Sequence, residues 1–407
     1  MTTVTERDAR LAREEGMAGA LAAVRRRLRT GDLGSIPVVI ALLVIWAYLQ
    51  SQNDNFLSAV NLTNLMLQVA AVGMVSVGVT MVLLLGEIDL SVGSVYGFTS
   101  GVMVVLNVKQ GWSPWAAVAV ALLVGVGIGL LHGSIFAWLA VPSFVVTLGG
   151  LIAWQGGLIR VLGDTGTVNL EYGEGVSRLT STFFSEATGF AIVGAVVALY
   201  LAVSAIGYRR ERRAGLETRS VIGTVARTAV IASIGVLLVV LMNRDRGLPL
   251  AVVIFLGAII LFDLLQRHTL YGRHLFAVGG NVEAARRAGI NIKYMRVTAF
   301  MICSFMAAAG GIMAASRLTA VNQSSGGGDV LLNAIAAAVI GGTSLFGGRG
   351  SAWSSLLGVL VIGSIANGLD LLNKSSSTKF IITGIVLVVA ATIDALARRG
   401  RAAAGKA

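Results

Sequence analysis

Two carboxylates separated by one residue, Glu87 and Asp89, stand at the junction of two long apolar stretches, and the hydroxyl groups of Ser91 and Ser94 follow them. Ionised groups at membrane depth are costly and usually face a polar interior, where they mark a solute or ion path. Such a cluster could guide a polar solute or couple its movement to an ion. The residues leave two interpretations open: the carboxylates face an internal path, or they lie in a tight turn just outside the apolar layer.

A second set of polar side chains, Asn333, Thr343 and Ser344, interrupts another apolar region near a glycine-rich run. Neutral groups of this kind could line an aqueous path and pass on a solute rich in hydroxyl groups without holding it. The candidates for a translocation path are therefore one or both of the carboxylates, Glu87 and Asp89, together with Ser91, Ser94, Asn333, Thr343 and Ser344.

The signatures of enzyme chemistry are missing from the sequence. It contains no G-x-x-x-x-G-K-[ST] phosphate loop and no H-E-x-x-H, G-x-S-x-G or C-x-x-C motif. The single cysteine, Cys303, lies in an apolar segment, and the three histidines have no metal-ligand spacing. We expect no catalytic residues, no metal and no cofactor, and any ATP that drives the protein must be bound by another chain.

The polar stretch from Arg267 to Arg296 separates two apolar segments and carries six Lys or Arg residues. Its centre predicts a short capped helix. Asn281 can accept from the free N–H groups of the first turn, Glu283 suits the positive end of the helix dipole, and Gly289 is a left-handed stop. Such a helix could be bound by a partner, or the stretch could be an ordinary basic loop that only fixes orientation.

Composition defines the elements that must position these residues. Of 407 residues, 56% are hydrophobic and 13% are charged, whereas soluble domains are about 25% charged. The mean hydropathy is +0.82, so the chain is an integral membrane protein. Its net charge of +12 could indicate nucleic acid, but the charges cluster in loops on one side of the apolar spans. No nucleic-acid partner is expected.

Hydropathy predicts an all-α polytopic fold with twelve spans of about 20 residues. They run over about 35–50, 61–85, 90–107, 114–140, 143–162, 187–208, 221–242, 249–266, 294–316, 329–346, 351–369 and 379–396. With both termini inside, 24 of the 32 Lys and Arg residues fall on the inner side, as the positive-inside rule requires.

The regions outside the spans divide by charge. Residues 1–33 are a basic tail that either lies on the inner leaflet as an amphipathic helix or is simply solvated. Residues 34–397 are the transmembrane region, and 398–407 are a second basic tail. The basic run 209–219 is predicted to be a solvated inner loop. The acidic segment 163–186 is the longest outer loop and could meet an external partner or only connect two spans.

Several of these motifs resemble a known family. Glu283-Ala284-Ala285 followed by Gly289 resembles the EAA loop of ABC importer permeases, and AVGGN at 277–281 resembles its sugar-permease form. Similar matches are GEIDLSVG at 86–93, PSFVVTLGG at 142–150 and GGTSLFGGRG at 341–350. Many relatives have glycine where this chain has Glu87, so Asp89 is the stronger candidate of the two carboxylates.

The resemblance implies the permease subunit of a ribose/xylose-type carbohydrate ABC importer in the plasma membrane. The xylose-type branch is closest, because the pair of spans over about 187–242 looks inserted. The resemblance further implies a homodimer, an ATPase subunit, an external sugar-binding protein, a sugar substrate and surrounding lipid, with ATP-driven alternating access. The ATPase-coupling residues would be Gly280, Asn281, Glu283, Ala284, Ala285, Arg286 and Gly289.

Two other functions remain open at this point. An ion-coupled secondary transporter or channel would act without an ATPase, and only Glu87 and Asp89 are placed to bind its ion. An importer of the same superfamily could instead carry a branched-chain amino acid or a nucleoside. The sugar-type motifs argue against that cargo.

Overall fold

The computed structural model describes residues 36–215 and 220–403, and these residues are mostly helical. The α-helices are α1 (Ile36–Gln52), α2 (Ala59–Leu84), α3 (Val92–Val104), α4 (Pro114–Leu139), α5 (Ser143–Leu162), α6 (Arg178–Ser181), α7 (Glu186–Arg213), α8 (Val221–Asn243), α9 (Leu250–His268), α10 (Leu270–Gly280), α11 (Val282–Arg287), α12 (Ile292–Leu318), α13 (Gly328–Ile340), α14 (Ala352–Leu371) and α15 (Ser376–Ala403). The all-α fold is confirmed.

Each predicted span overlaps one of these helices. Eight described helices are long and apolar enough to cross a membrane, and α1, α13 and the apolar part of α15 are shorter. The predicted span over 90–107 is made of α3 and the π-helical turn Val105–Lys109 that continues it. The protein is therefore polytopic, while the count of twelve crossings stays a prediction.

The loop predicted over 209–219 is partly wrong. Helix α7 continues through Arg209–Arg213, because Arg and Glu are good helix formers and cations suit the negative end of the helix dipole. Helix α15 likewise runs to Ala403 and takes up the start of the predicted tail 398–407. The predicted tail helix within 1–33 and residues 216–219 lie outside the described residues.

Helices α2 and α12 form the centre of the molecule. Helix α2 is buried along nearly its whole length, and α12 packs extensively against both α2 and α4. Polar groups also join the central helices. The amides of Asn61 and Asn367 exchange two hydrogen bonds between α2 and α14, and the hydroxyls of Thr80 and Ser355 join the same two helices at 2.9 Å.

Helices α7 and α8 lie at the periphery and pack chiefly against each other. Gly189 is the buried residue of α7, and Val239 and Met242 are those of α8. Apart from the charged residues at the two ends of α7 and Arg227 of α8, their exposed side chains are mostly apolar, as expected of helices that face lipid.

Short strands close one face of the helical body. Strand β1 (Thr167–Asn169) pairs antiparallel with β4 (Ala320–Asn322), and β2 (Phe183–Phe184) pairs with β3 (Leu248–Pro249). The acidic segment 163–186 is therefore ordered secondary structure. The residues between α9 and α12 lie at the opposite ends of these helices, and we call that face the basic face.

Candidate functional site

The turn between α2 and α3, residues 85–91, holds Asp89 at the centre of a buried hydrogen-bond network; we call it the Asp89 turn. Asp89 is only 3% exposed. Its Oδ1 accepts from the Ser91 N–H at 2.9 Å and from the Ser91 hydroxyl at 2.6 Å. Its Oδ2 makes no hydrogen bond within the described part of the chain, and the buried thiol of Cys303 lies nearby.

The network continues through His132 of α4 to Trp154 of α5. The Trp154 indole N–H donates to Nε2 of His132 at 3.1 Å, and Nδ1 of His132 lies 3.3 Å from the Ser91 hydroxyl. Because an indole can only donate, Nε2 must be an acceptor and the ring proton of neutral His132 sits on Nδ1. The order of donation is then Trp154 to His132, His132 to Ser91, and Ser91 to Asp89.

This network lies well inside the helical layer. His132 is seven residues from the end of α4 at Leu139, and Trp154 is eleven residues from the start of α5 at Ser143. At 1.5 Å per residue these distances are about 10 and 16 Å from the basic face. The geometry therefore favours the polar interior over the surface turn as the environment of Asp89.

A glycine makes room for the histidine. A Cβ on Gly150 of α5 would lie 2.5 Å from two atoms of the His132 ring, whereas a Cβ on Gly149 would meet open space. Only the glycine at 150 is needed for the close approach of α4 and α5 at this point.

The remaining path candidates lie on different elements of the fold. Ser94 is buried and its hydroxyl donates to the Ser91 carbonyl at 2.8 Å. Thr343 and Ser344 are buried in the turn after α13, and Asn333 is half-buried on α13 itself. The structure thus gathers Asp89, Ser91 and Ser94 into one network and leaves the other three outside it. Their part in a path remains a prediction.

The predicted capped helix is present as α11, and we keep that name for it. The Asn281 side chain accepts from the Ala284 N–H at 2.9 Å and caps its first turn. Glu283 in that turn pairs with Arg286 at 2.8 Å. Ala285 is buried against the protein body, while Asn281, Glu283, Ala284 and Arg286 are exposed. The helix presents one charged face outward.

The C-terminal end of the capped helix is also as predicted. Gly289 has φ of +80°, its N–H donates to the Arg286 carbonyl, and the Ile290 N–H donates to the Ala285 carbonyl at 3.1 Å. These two bonds are the Schellman pattern, which satisfies the last carbonyl groups of a helix. Gly280, the last residue of α10, has open space around its Cα.

Two glycines and a leucine carbonyl meet just before the capped helix. The Gly348 N–H donates to the Leu84 carbonyl at 2.9 Å, and Gly279 packs against both of these groups. A Cβ on Gly279 would overlap the Leu84 oxygen and lie 2.7 Å from the Gly348 nitrogen. The end of α10, the end of α2 and the turn after α13 therefore meet through their backbones.

Glu87 occupies a different environment from Asp89. It is half-buried near the basic face, where Oε2 accepts from the Ser143 hydroxyl at 2.7 Å and Oε1 lies 3.5 Å from the Arg296 guanidinium. The guanidinium also stacks over the Phe136 ring at 4.3 Å. Burial raises the pKa of Glu87, and Ser143 and Arg296 counteract that shift only in part.

The sequence interpretation missed His132, Trp154, Ser143 and Arg296 as partners of the two carboxylates. One signal was available for His132, because it is the only ionisable residue in the apolar helix α4. An ionisable residue inside a membrane helix normally has a polar partner. No comparable signal in the sequence identifies Ser143 or Trp154.

Comparisons with known proteins agree on one kind of protein. A family described as "Branched-chain amino acid transport system / permease component" matches residues 61–391. The xylose transport system permease protein XylH of Escherichia coli (strain K12) is 33% identical over 373 residues, which are 91% of this chain and 94% of the relative.

Two further relatives are similar over nearly their whole length. XylH of Haemophilus influenzae (strain Rd) is 32% identical over 90% of this chain and 98% of its own. The ribose import permease protein RbsC of Escherichia coli (strain K12) is 30% identical over 88% of this chain and 92% of its own. No solved structure matches the chain significantly.

The family match runs from α2 into α15 and includes the Asp89 turn and the capped helix. The chain therefore belongs to the family of transport-system permease components and is a multi-pass inner-membrane permease rather than an enzyme.

Proposed function

We propose that this permease is the membrane subunit of an ATP-driven importer that carries a pentose sugar by alternating access. The observation that carries the proposal is the capped helix, because it is exposed, charged and stopped at both ends on the same face of the molecule as the Asp89 turn. A helix of this kind suits a partner that pushes on the permease, and ATP hydrolysis belongs to that partner.

The partners follow from the same proposal. An ATPase subunit docks on the capped helix through its exposed residues Gly280, Asn281, Glu283, Ala284, Arg286 and Gly289, while the buried Ala285 holds the helix against the permease body. A cavity of about 370 Å³ beside this helix, lined in part by Arg286, Lys293 and Arg296, could receive acidic groups of that subunit. A second copy of the chain completes the pore, and an external binding protein delivers the sugar on the face that carries the strands.

The proposed arrangement in the membrane has twelve crossings with both termini on the basic face. The helix directions agree with this, since the acidic segment 163–186 pairs with residues 248–249 and 320–322, all at the face opposite the capped helix. Asp89, Ser91, Ser94, Asn333, Thr343 and Ser344 line the path once it opens. In this structure five of the six are buried, which corresponds to a closed path.

The choice of a sugar as cargo rests on the relatives, whose names specify xylose and ribose. The family description instead mentions branched-chain amino acids. The path candidates are mainly neutral hydroxyl and amide groups. They suit a neutral polyol better than the charged ends and apolar side chain of an amino acid. Uptake of labelled xylose, ribose and leucine by the same vesicles separates these cargoes.

The first experiment is purification of the permease from native membranes in mild detergent, followed by identification of the co-purifying chains by mass. We expect a stoichiometric ATPase subunit. Glu283→Lys reverses the charge at the dipole-positive end of the capped helix, so we expect it to lose that subunit and ATP-driven uptake while the permease still inserts.

The matched control is Glu174→Lys. Glu174 precedes a 3₁₀ turn and pairs with Arg178 at 3.0 Å, and this pair is about as exposed as Glu283 and Arg286 but lies on the opposite face of the molecule. This variant should retain the ATPase subunit. A permease that purifies alone and transports in ATP-free vesicles would refute the importer and leave ion-coupled transport through Asp89 as the explanation.

A further inference from the structure

The capped helix is attached to the Asp89 turn on both sides. Before the helix, Gly279 packs against the Leu84 carbonyl at the start of the turn. After the helix, Arg296 reaches Glu87 inside the turn. The first attachment is steric and the second is electrostatic. A displacement of the capped helix is therefore transmitted to the same short turn at two points.

The electrostatic attachment joins three elements at Glu87. One carboxylate oxygen holds Ser143 at the start of α5 at 2.7 Å, and the other faces Arg296 in the second turn of α12 at 3.5 Å. The Phe136 ring of α4, 4.3 Å from the Arg296 guanidinium, restricts where that guanidinium can move. The Glu87 and Arg296 side chains are 20% and 26% exposed, so water screens their interaction less than it screens a surface pair.

The turn is short and is held by hydrogen bonds on either side of the two carboxylates. The Glu87 N–H donates to the Val82 carbonyl at 3.3 Å, and Asp89 is locked to Ser91 two residues further on. Only Ile88 separates Glu87 from Asp89, so a movement of Glu87 with Arg296 reaches Asp89 and its bonds to Ser91, which in turn contacts His132.

We propose that Glu87 and Arg296 are a positioning pair that couples displacement of the capped helix to opening of the Asp89 network. This proposal rests on the proposed function. In this proposal Glu87 does not contact the sugar. Its role is to make passage of the sugar depend on the ATPase. Loss of the pair should leave ATP hydrolysis running without transport.

The test is the number of sugar molecules imported per ATP hydrolysed, measured in vesicles that contain the purified complex. Glu87→Lys and Arg296→Glu should each lower this ratio about fivefold or more, the range of typical coupling between sites. The double variant, which restores opposite charges, should recover much of the loss. Glu87→Gln keeps an acceptor for Ser143 and removes only the charge, so it should lower the ratio of sugar to ATP by less. This variant tests the pair if the charge-reversal variants fold poorly.

The matched control is reversal of Asp263 and Arg267, an ion pair at the end of α9 on the same face, 2.6 Å apart. It should leave the ratio unchanged. An unchanged ratio in Glu87→Lys and in Glu87→Gln, or no recovery in a well-folded double variant, would overturn the positioning pair. Failure of the importer function itself would appear in the unmodified protein, as uptake without an ATPase subunit.

Discussion

The Asp89 turn and the capped helix lie on the same side of the molecule but are built in opposite ways. In the turn, Asp89 is buried and its hydrogen bonds come from within the protein. On the capped helix, Glu283 is 65% exposed and pairs with a neighbour on its own helix. A buried polar network in an apolar layer costs free energy wherever a bond is lost. Replacing an exposed charged residue costs little stability. Such a replacement therefore acts mainly on the partner that binds the residue.

The largest effect should come from the backbone contact that joins the two regions. Gly279→Ala adds a methyl group against the Leu84 carbonyl and the Gly348 nitrogen, neither of which is a flexible side chain. We expect a loss of about 3 kcal/mol in stability, the upper part of the usual range for overpacking. Thermal unfolding in detergent measures it. Gly280→Ala, with open space around it, is the control and should be nearly neutral.

The second effect tests the buried network directly. Asp89→Asn keeps one acceptor for Ser91 but puts an amide N–H₂ group in place of Oδ2, which has no hydrogen-bond partner in the described part of the chain. An unsatisfied buried donor costs about 1–3 kcal/mol, and we expect uptake to fall as well. Asp54→Asn, at an exposed position, should change neither. If the two substitutions have equally small effects, Asp89 behaves as a residue of an ordinary surface turn.

A smaller loss of stability should follow from displacing the His132 ring. Gly150→Ala places a methyl group 2.5 Å from the His132 ring, so the ring must shift and weaken its bond to Ser91 or Trp154. We expect a loss of about 1 kcal/mol, close to the net value of one hydrogen bond. Gly149→Ala adds the same methyl group in open space. If the two variants unfold at the same temperature, His132 does not hold the network together.

The smallest effect on stability should come from the capped helix. Glu283→Gln removes an exposed ion pair with Arg286, which contributes about 0–1 kcal/mol. We expect unfolding temperatures within a degree or two of the unmodified protein, together with weaker retention of the ATPase subunit during purification. A large loss of stability here would mean that the two regions do not differ as described.

The same contrast explains what could be predicted from the sequence. Asn281 and Gly289 cap a helix within nine residues of one another, so their roles depend on local geometry and were predictable. The positions of the long helices follow from apolar length alone. The partnership of Asp89, Ser91 and His132 joins residues 41 positions apart. It depends on how α4 packs against the start of α3, and nothing local specifies that.

Two features of the structure were not predicted from the sequence. The run of Arg and Glu after Gly207 has the charge of a solvated loop, yet α7 extends through Arg213, because polar residues with good helix propensity continue a helix that has already formed. Glu87 resembles Asp89 in sequence, but its contacts with Ser143 and Arg296 are set by the starts of two distant helices.

The pairing of β2 with β3 on either side of α7 and α8 has a consequence for how these two helices could be gained or lost in evolution. Phe183 and Phe184 immediately precede α7 and α8, and they pair with Pro249 and Leu248, which follow them. Paired strands lie about 4.8 Å apart, so the chain leaves the body and returns to it at nearly one point. The two ends of the α7–α8 hairpin therefore lie side by side. A chain without this hairpin could join Phe184 to Leu248 by a short connection, and the central helices α2 and α12 would not need to change their order.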